Sequence, residues 1–282
     1  MQGRGEGRAL AAGAGGRTRG LTGPGRRVKD RRMTDAPQVW RLPPDEPLQV
    51  TAQEVHVWRG ALDQPPPVTE QLLATMTADE RRRAGRYHFA RDREHFIVAR
   101  GMLRAILGRY LGRGPGDLQF IYAAYGKPAL STEPSHGGLR FNLSHSHGLA
   151  LLAVTRDREV GVDLEFIRPG VIEEEIAEHF FSAAEVRLLR ALPPAEQAEA
   201  FFNCWTRKEA YIKARGEGLS LPLDQFEVSL APGQPAELRR TDGDKSEAGR
   251  WTMRELFPGS AFKAALAVAG PECHVKCWQW IT

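Results

Sequence analysis

The chain has 282 residues, 41% of them hydrophobic, enough for one large domain or two small lobes with cores of their own. Its formal charge of +4 is lopsided: residues 1–32 hold eight Arg and one Lys against Glu6 and Asp30, a net of +7, so residues 33–282 carry −3. Charge therefore makes no case for a nucleic-acid partner of the folded part, and no apolar run is long enough for a secretion signal or a membrane span.

Residues 1–36, rich in Gly, Arg and Ala, offer little to bury and are predicted to be disordered; the alternative is an overlong start, with translation beginning at Met33. Val55, Val57 and Leu62 predict a strand that ends before Pro65-Pro66-Pro67. Asp79 to about Arg113 reads as one arginine-dense helix, capped by Thr77 or Asp79. A strand over Asp117–Tyr122 leads into the turn Tyr125-Gly126-Lys127-Pro128. Phe141–His147 reads as a loop ahead of a strand at Leu149–Thr155, and Val160–Phe166 is the next strand. Helices follow near Glu173–Phe180 and over Ala183–Leu192, the latter stopped by Pro193-Pro194. A further helix carries Phe201–Ala214 and stops at Gly216 and Gly218. Phe226–Leu230, Arg250–Leu256, Lys263–Ala269 and Cys273–Trp280 alternate as antiparallel strands. The order weakly repeats, so the predicted class is α+β, with two similar lobes over residues 48–158 and 159–282 and a ligand cleft between them.

Three cysteines, Cys204, Cys273 and Cys277, imply no disulfide framework and point to a reducing cytoplasm. Cys273-His274-Val275-Lys276-Cys277 lacks the second Cys/His pair that a zinc site needs, and reads as a terminal strand.

Helical spacing puts Trp205, Glu209 and Lys213 on one stripe, with Glu209 and Lys213 about 6 Å apart along the axis. A carboxylate and an ammonium on an anchored helix suit a metal ion and a phosphate; a solvated surface pair is the plainer reading. In Val160-Gly161-Val162-Asp163-Leu164-Glu165, strand alternation points Asp163 and Glu165 to one face and Val162 and Leu164 to the other. Two like carboxylates there call for a cation, and an oxygen-only set favours Mg²⁺ or Mn²⁺, unless the strand is a solvated edge. Ser144-His145-Ser146-His147 reads as a phosphate-facing loop, a two-histidine metal site or a serine nucleophile. The G-x-S-x-G elbow is missing, as are the Walker and dinucleotide fingerprints.

In order, Gly126-Lys127-Pro128, Phe141-Asn142-Leu143-Ser144-His145-Ser146, Gly161-Val162-Asp163-Leu164-Glu165 and Trp205-Thr206-Arg207-Lys208-Glu209-Ala210-Tyr211-Ile212-Lys213 with Gly216-Glu217-Gly218-Leu219 resemble the 4′-phosphopantetheinyl transferases. The length is similar to that of the larger, two-lobed, Sfp-like type. The resemblance implies two lobes related by pseudo-twofold symmetry. It also implies transfer of the phosphopantetheine arm of coenzyme A to a serine of an apo acyl, peptidyl or aryl carrier protein, releasing adenosine 3′,5′-bisphosphate. By motif, Asp163, Glu165 and Glu209 would hold Mg²⁺, with Mn²⁺ possible. Lys213 and His145 would meet coenzyme A phosphates, Lys127 and Ser144 would line the nucleotide pocket, and Arg91 and Arg100 are candidates for the 3′-phosphate, with Arg86 or His95 as substitutes. Glu209, Lys213 and Asp163 form the expected catalytic set, with Glu209, or a metal-bound water that it orients, the expected base. The expected protein is a cytoplasmic monomer with no nucleic-acid or membrane partner. A Mg²⁺-dependent phosphohydrolase and a non-catalytic coenzyme A-binding module are the alternatives.

Overall fold

The computed structural model describes residues 38–131, 138–168, 174–244 and 246–282. The leader, residues 1–36, and the expected helix start at Glu173 lie outside them. In chain order the elements are β1 (Glu54–Ala61), α1 (Pro66–Ala74), α2 (Ala78–Ala84), α3 (Ala90–Leu111), β2 (Phe120–Tyr122), β3 (Pro128–Leu130), β4 (Leu139–Ser146), β5 (Leu149–Arg156) and β6 (Val160–Phe166). Then come α4 (Glu174–Phe180), α5 (Ala183–Ala191), α6 (Pro194–Arg215), β7 (Phe226–Val228), β8 (Leu238–Thr241), β9 (Trp251–Leu256), β10 (Phe262–Ala269) and β11 (His274–Gln279).

Four strands form one sheet in the order β11-β1-β5-β4, and three form a second in the order β6-β10-β9. Period-two burial sets the layers. On β5, Ala150, Leu152 and Val154 pack with α3 residues such as Val98, Met102 and Ile106, while Leu151 and Ala153 pack toward the second sheet. On β10, Ala264, Leu266 and Val268 meet the first sheet, while Ala265 and Ala267 join the core under α6. The order is thus α3, first sheet, second sheet, α6, with each buried Val or Leu stabilising by about 1.5–3 kcal/mol.

Two glycines let helices close on their neighbours. A Cβ on Gly161 of β6 would lie 2.1 Å from the Ala210 carbonyl oxygen and 2.4 Å from the Ala214 nitrogen of α6, so only glycine fits between strand and helix backbone. Gly101 of α3 lies similarly close to the Leu72 side chain of α1.

Several expectations change. The single helix over Asp79–Arg113 is two, α2 and α3, broken at Gly85 and restarted at Phe89. Thr77 does cap α2, in a capping box with Glu80. β1 and α5 do end ahead of the prolines, but Pro66 and Pro194 also begin helices, α1 unforeseen and α6 ahead of the expected Phe201, because the first helical turn has no use for the missing N–H. Phe141–Ser146 is strand, not loop, and β8 was not foreseen. β11 runs parallel to β1, with Val57 opposite Cys277, so the last strand joins the first sheet. Cys204, Cys273 and Cys277 are free and buried. Among the described residues no helix is long and apolar enough to cross a membrane.

Candidate active site

The edge strands β4 and β6 of the two sheets meet through side chains. Asn142, Ser144 and Ser146 share one face of β4, and each bonds to β6. Asn142 Oδ1 accepts from the Val162 N–H at 2.8 Å, Ser144 Oγ donates to Asp163 Oδ1 at 3.0 Å, and Ser146 Oγ donates to Glu165 Oε2 at 3.2 Å. Ser146 also accepts the Phe166 N–H at 3.3 Å. β6 presents Gly161, Asp163 and Glu165 toward α6 and buries Val160, Val162 and Leu164 between the sheets.

α6 is anchored from behind. Lys208 is fully buried, donating to the Leu223 and Phe226 carbonyls at 2.6 Å and pairing with Glu185 at 2.8 Å. Arg207 donates to the Ser229 carbonyl at 2.7 Å, and Asn203 to that of Leu230 at 3.1 Å. Gly216, at φ 73°, ends the helix with its N–H on the Ile212 carbonyl. That anchoring turns Glu209 and Lys213 toward β6.

There Lys213 Nζ hydrogen-bonds Asp163 Oδ1 and Ser144 Oγ, the latter at 3.2 Å, and lies 3.9 Å from Glu209 Oε2. Three carboxylates thus share one ammonium. Burial pushes Glu209 up to about 7; Lys213 pulls it back, and the charges of Asp163 and Glu165 push it further. Glu165 is raised by burial and by Asp163, against Ser146, Lys213 and Trp205. Burial works against the charged Lys213, yet Asp163 foremost, then Glu209 and Glu165, hold its pKa above the ordinary range. Asp163 is 2% exposed, and its Oδ2 has no hydrogen-bond partner among the described residues. A buried carboxylate oxygen without a donor, beside two carboxylates that resist ionisation, fits a bound cation. Among the described residues no group of three or more His, Cys, Asp or Glu side chains is arranged to hold a metal ion by itself. Mg²⁺ needs none, since it takes one or two carboxylates and completes its shell with water and phosphate oxygens.

The other expected residues are dispersed. Because β4 is a strand, His145 faces away from Ser144; exposed at its rim, it is lowered in pKa by flanking protein, then by Lys213 and His95. His95, missed as a first choice, bonds Asp63 at 2.8 Å, and Asp63 lies against Gly148 in the β4–β5 turn. Lys127 donates to the Val160 and Ala214 carbonyls, at 3.2 and 3.1 Å, tying the β2–β3 hairpin to the start of β6 and the end of α6. Its pKa is lowered by burial. Arg91 is largely exposed, 3.5 Å from Asp63.

Arg100 is held elsewhere. It is 6% exposed, 3.4 Å from Glu80 and donating to the Tyr122 hydroxyl at 3.3 Å, while fully buried Arg104 pairs with the same Glu80 at 2.7 Å. Beside this pair a cavity of about 460 Å³ opens between α2 and β2, lined by four arginines, Arg82, Arg83, Arg86 and Arg104, and by the carboxylates of Asp79 and Glu80. The individual arginines could not be chosen from sequence, because the helix break at Gly85 decides which of them face inward.

A model described as 4′-phosphopantetheinyl transferase, N-terminal, matches residues 64–157, and one described as the 4′-phosphopantetheinyl transferase superfamily matches residues 159–267. The 4′-phosphopantetheinyl transferase HetI of Nostoc sp. is 43% identical over 239 residues, 85% of this chain and 98% of that protein. The 4′-phosphopantetheinyl transferase Sfp of Bacillus subtilis is 32% identical over 203 residues, 72% and 86% of the two chains. Holo-[acyl-carrier-protein] synthase of Thermotoga maritima overlaps 40% of this chain and 62% of its own, at 24% identity and a TM-score of 0.32. The chain belongs to the 4′-phosphopantetheinyl transferase superfamily. It is an enzyme of the transferase type, and neither the phosphohydrolase nor the binding-module alternative finds support in these relatives.

Proposed function

We propose that this enzyme moves the 4′-phosphopantetheine arm of coenzyme A onto a serine hydroxyl of an apo acyl, peptidyl or aryl carrier protein, with Mg²⁺ held by Asp163, Glu165 and Glu209. The observation that carries the reading is the surplus of buried carboxylate over ammonium, with Asp163 Oδ2 lacking any donor among the described residues. Mn²⁺ suits the same oxygen set.

Bound there, the ion would neutralise charge on the pyrophosphate of coenzyme A. Lys213, fixed by Asp163 and Ser144, donates to the phosphate oxygens and stabilises the charge that builds in the transition state. Glu209 takes the serine proton as the new Oγ–phosphorus bond forms. The phosphorus–oxygen bond to the nucleotide half breaks, and adenosine 3′,5′-bisphosphate leaves with the electron pair. Lys127 lies at the Val160 end of β6 and puts the nucleotide on that side. The arginine cavity between α2 and β2 then takes the 3′-phosphate, with Arg83 and Arg86 in place of Arg100. His145 and Arg91 flank the opposite, α3-facing side of β4.

Two lobes related by a pseudo-twofold axis, over residues 48–158 and 159–282, are part of this reading. In their support, β1–α3–β4–β5 has strand order β1-β5-β4, and β6–α6–β9–β10 has the matching order β6-β10-β9. The two family models also meet near residue 158. A monomer completes such a cleft, and three free cysteines suit the cytoplasm.

Intact-mass analysis of an apo carrier protein incubated with the enzyme, coenzyme A and Mg²⁺ tests the proposal. The expected result is a carrier heavier by one phosphopantetheine arm, lost with EDTA or with Glu209→Gln. Consumption of coenzyme A without a modified carrier, on fatty-acid, polyketide and peptide carriers alike, would return the hydrolase.

A further inference from the structure

Ser146 lies outside the residues that the expected catalytic and binding sets contain, yet its hydroxyl is as constrained as that of Ser144. It is 3.3 Å from the Phe166 amide nitrogen, which can only donate, and 3.2 Å from Glu165 Oε2, which as a carboxylate can only accept. One hydroxyl carries one proton, so that proton goes to Glu165 and a lone pair faces the amide. The third neighbour, His147 Nδ1 at 3.4 Å, then faces the remaining lone pair as the Nδ1–H tautomer.

The backbone holds the hydroxyl there. Ser146 is opposite Leu149 in the β4–β5 register, and the two residues between them, His147 at φ 45° and Gly148 at φ 79°, form a two-residue hairpin turn with both φ positive. The His147 ring stacks on Phe166 at a centroid distance of 4.4 Å and an interplanar angle of 18°, which clamps the turn to the end of β6. Glu165 needs such a restraint. Asp163 sits two residues away on the same face, its charge repels that of Glu165, and the terminal torsion of a glutamate is soft.

We infer that Ser146 is a positioning residue for Glu165: it occupies Oε2 and so leaves Oε1 oriented toward the cation that Asp163 and Glu209 share. The inference rests on the metal reading of this site. Ser144 does the same for Asp163 but divides its oxygen with Lys213, whereas Ser146 acts on its carboxylate without a lysine between them.

The test is a Mn²⁺ titration in the presence of coenzyme A, followed by loss of the free-ion electron paramagnetic resonance signal, for the wild-type chain, Ser146→Ala, Ser146→Thr and Asp163→Asn. Removing an outer hydrogen bond to a metal carboxylate should raise half-saturating Mn²⁺ about tenfold in Ser146→Ala. Ser146→Thr, which keeps the hydroxyl, should stay within about twofold of wild type. Carrier modification by Ser146→Ala should recover as metal is raised. Wild-type uptake with an unshifted Ser146→Ala would overturn the inference alone, as would a Thr variant weakened as much as the Ala variant. A wild type that takes up no Mn²⁺, like Asp163→Asn, would overturn the metal reading and the inference with it.

Discussion

α3 and α6 are both 22 residues long, and each covers the outer face of one sheet, yet they gather opposite charge. Beside α3, Arg100 and Arg104 share the single carboxylate of Glu80; beside α6, Asp163, Glu165 and Glu209 share the single ammonium of Lys213. Burial makes both imbalances costly, and a ligand of the opposite sign would offset each of them. The hairpin β2–β3 links them: Phe120 lies under the Arg100 and Arg104 guanidiniums, and Lys127 reaches the end of α6. A substrate that carries a phosphate at one end and a metal-bound pyrophosphate at the other would neutralise both.

Glu209→Gln is the most damaging change to the acidic side. Carrier modification should fall on the order of 10³-fold, read by intact mass at saturating metal. The same variant should be the more stable protein when metal is chelated. Glu209 has its pKa raised from the ordinary 4.5 to about 7, so the native state holds the proton more tightly than the unfolded chain. The contribution of Glu209 to stability therefore falls as pH rises from about 4.5 to 7, and Gln removes that loss, worth about 3 kcal/mol at pH 8 in urea unfolding with EDTA. A wild-type-minus-Gln difference that stays constant across that window would contradict the burial of this carboxylate.

Gly161→Ala and Gly101→Ala compare how the two helices are seated. A methyl on Gly161 meets the backbone of α6, whereas one on Gly101 meets a side chain of α1, a short helix with no buried residue. Gly161→Ala should cost about 3 kcal/mol and Gly101→Ala clearly less, measured by chemical denaturation. Equal losses would mean that α6 can shift as readily as α1.

Under α3, His56 is 2% exposed, its Nδ1 2.6 Å from the Tyr110 hydroxyl, and burial lowers its pKa from 6.5 to about 4. The unfolded chain takes up the proton first, so the part of the stability that His56 contributes above pH 6.5 should drain away as pH falls toward 4, by about 3 kcal/mol. His56→Phe should remove that contribution, seen as a pH-dependent difference from wild type between about pH 4 and pH 6.5. The smallest effect is expected on the basic side. Arg83→Ala should raise KM for coenzyme A about tenfold and leave 3′-dephospho-coenzyme A unaffected, since one charged contact to a phosphate is worth about 1.5 kcal/mol. An equal rise for both substrates would move the 3′-phosphate out of this cavity.

What the sequence determined by itself is the chemistry of short stretches. The alternation in Val160–Phe166 put Asp163 and Glu165 on one face, and the four-residue spacing of Glu209 and Lys213 put them on one stripe, because strand and helix periods are local properties. The same locality made the type of most elements readable, and the capping box at Thr77 with them. What the tertiary structure alone decided is which faces meet. Ser144 and His145 are neighbours in the chain and opposite in space once β4 is a strand, so only Ser144 reaches Asp163. No local signal shows that Arg100 turns into Glu80 while Arg82, Arg83 and Arg86 line a cavity, because that follows from where α2 ends and how it lies against β2. The parallel seat of β11 beside β1 is likewise a pairing across more than two hundred residues, and no periodicity within either strand encodes its direction.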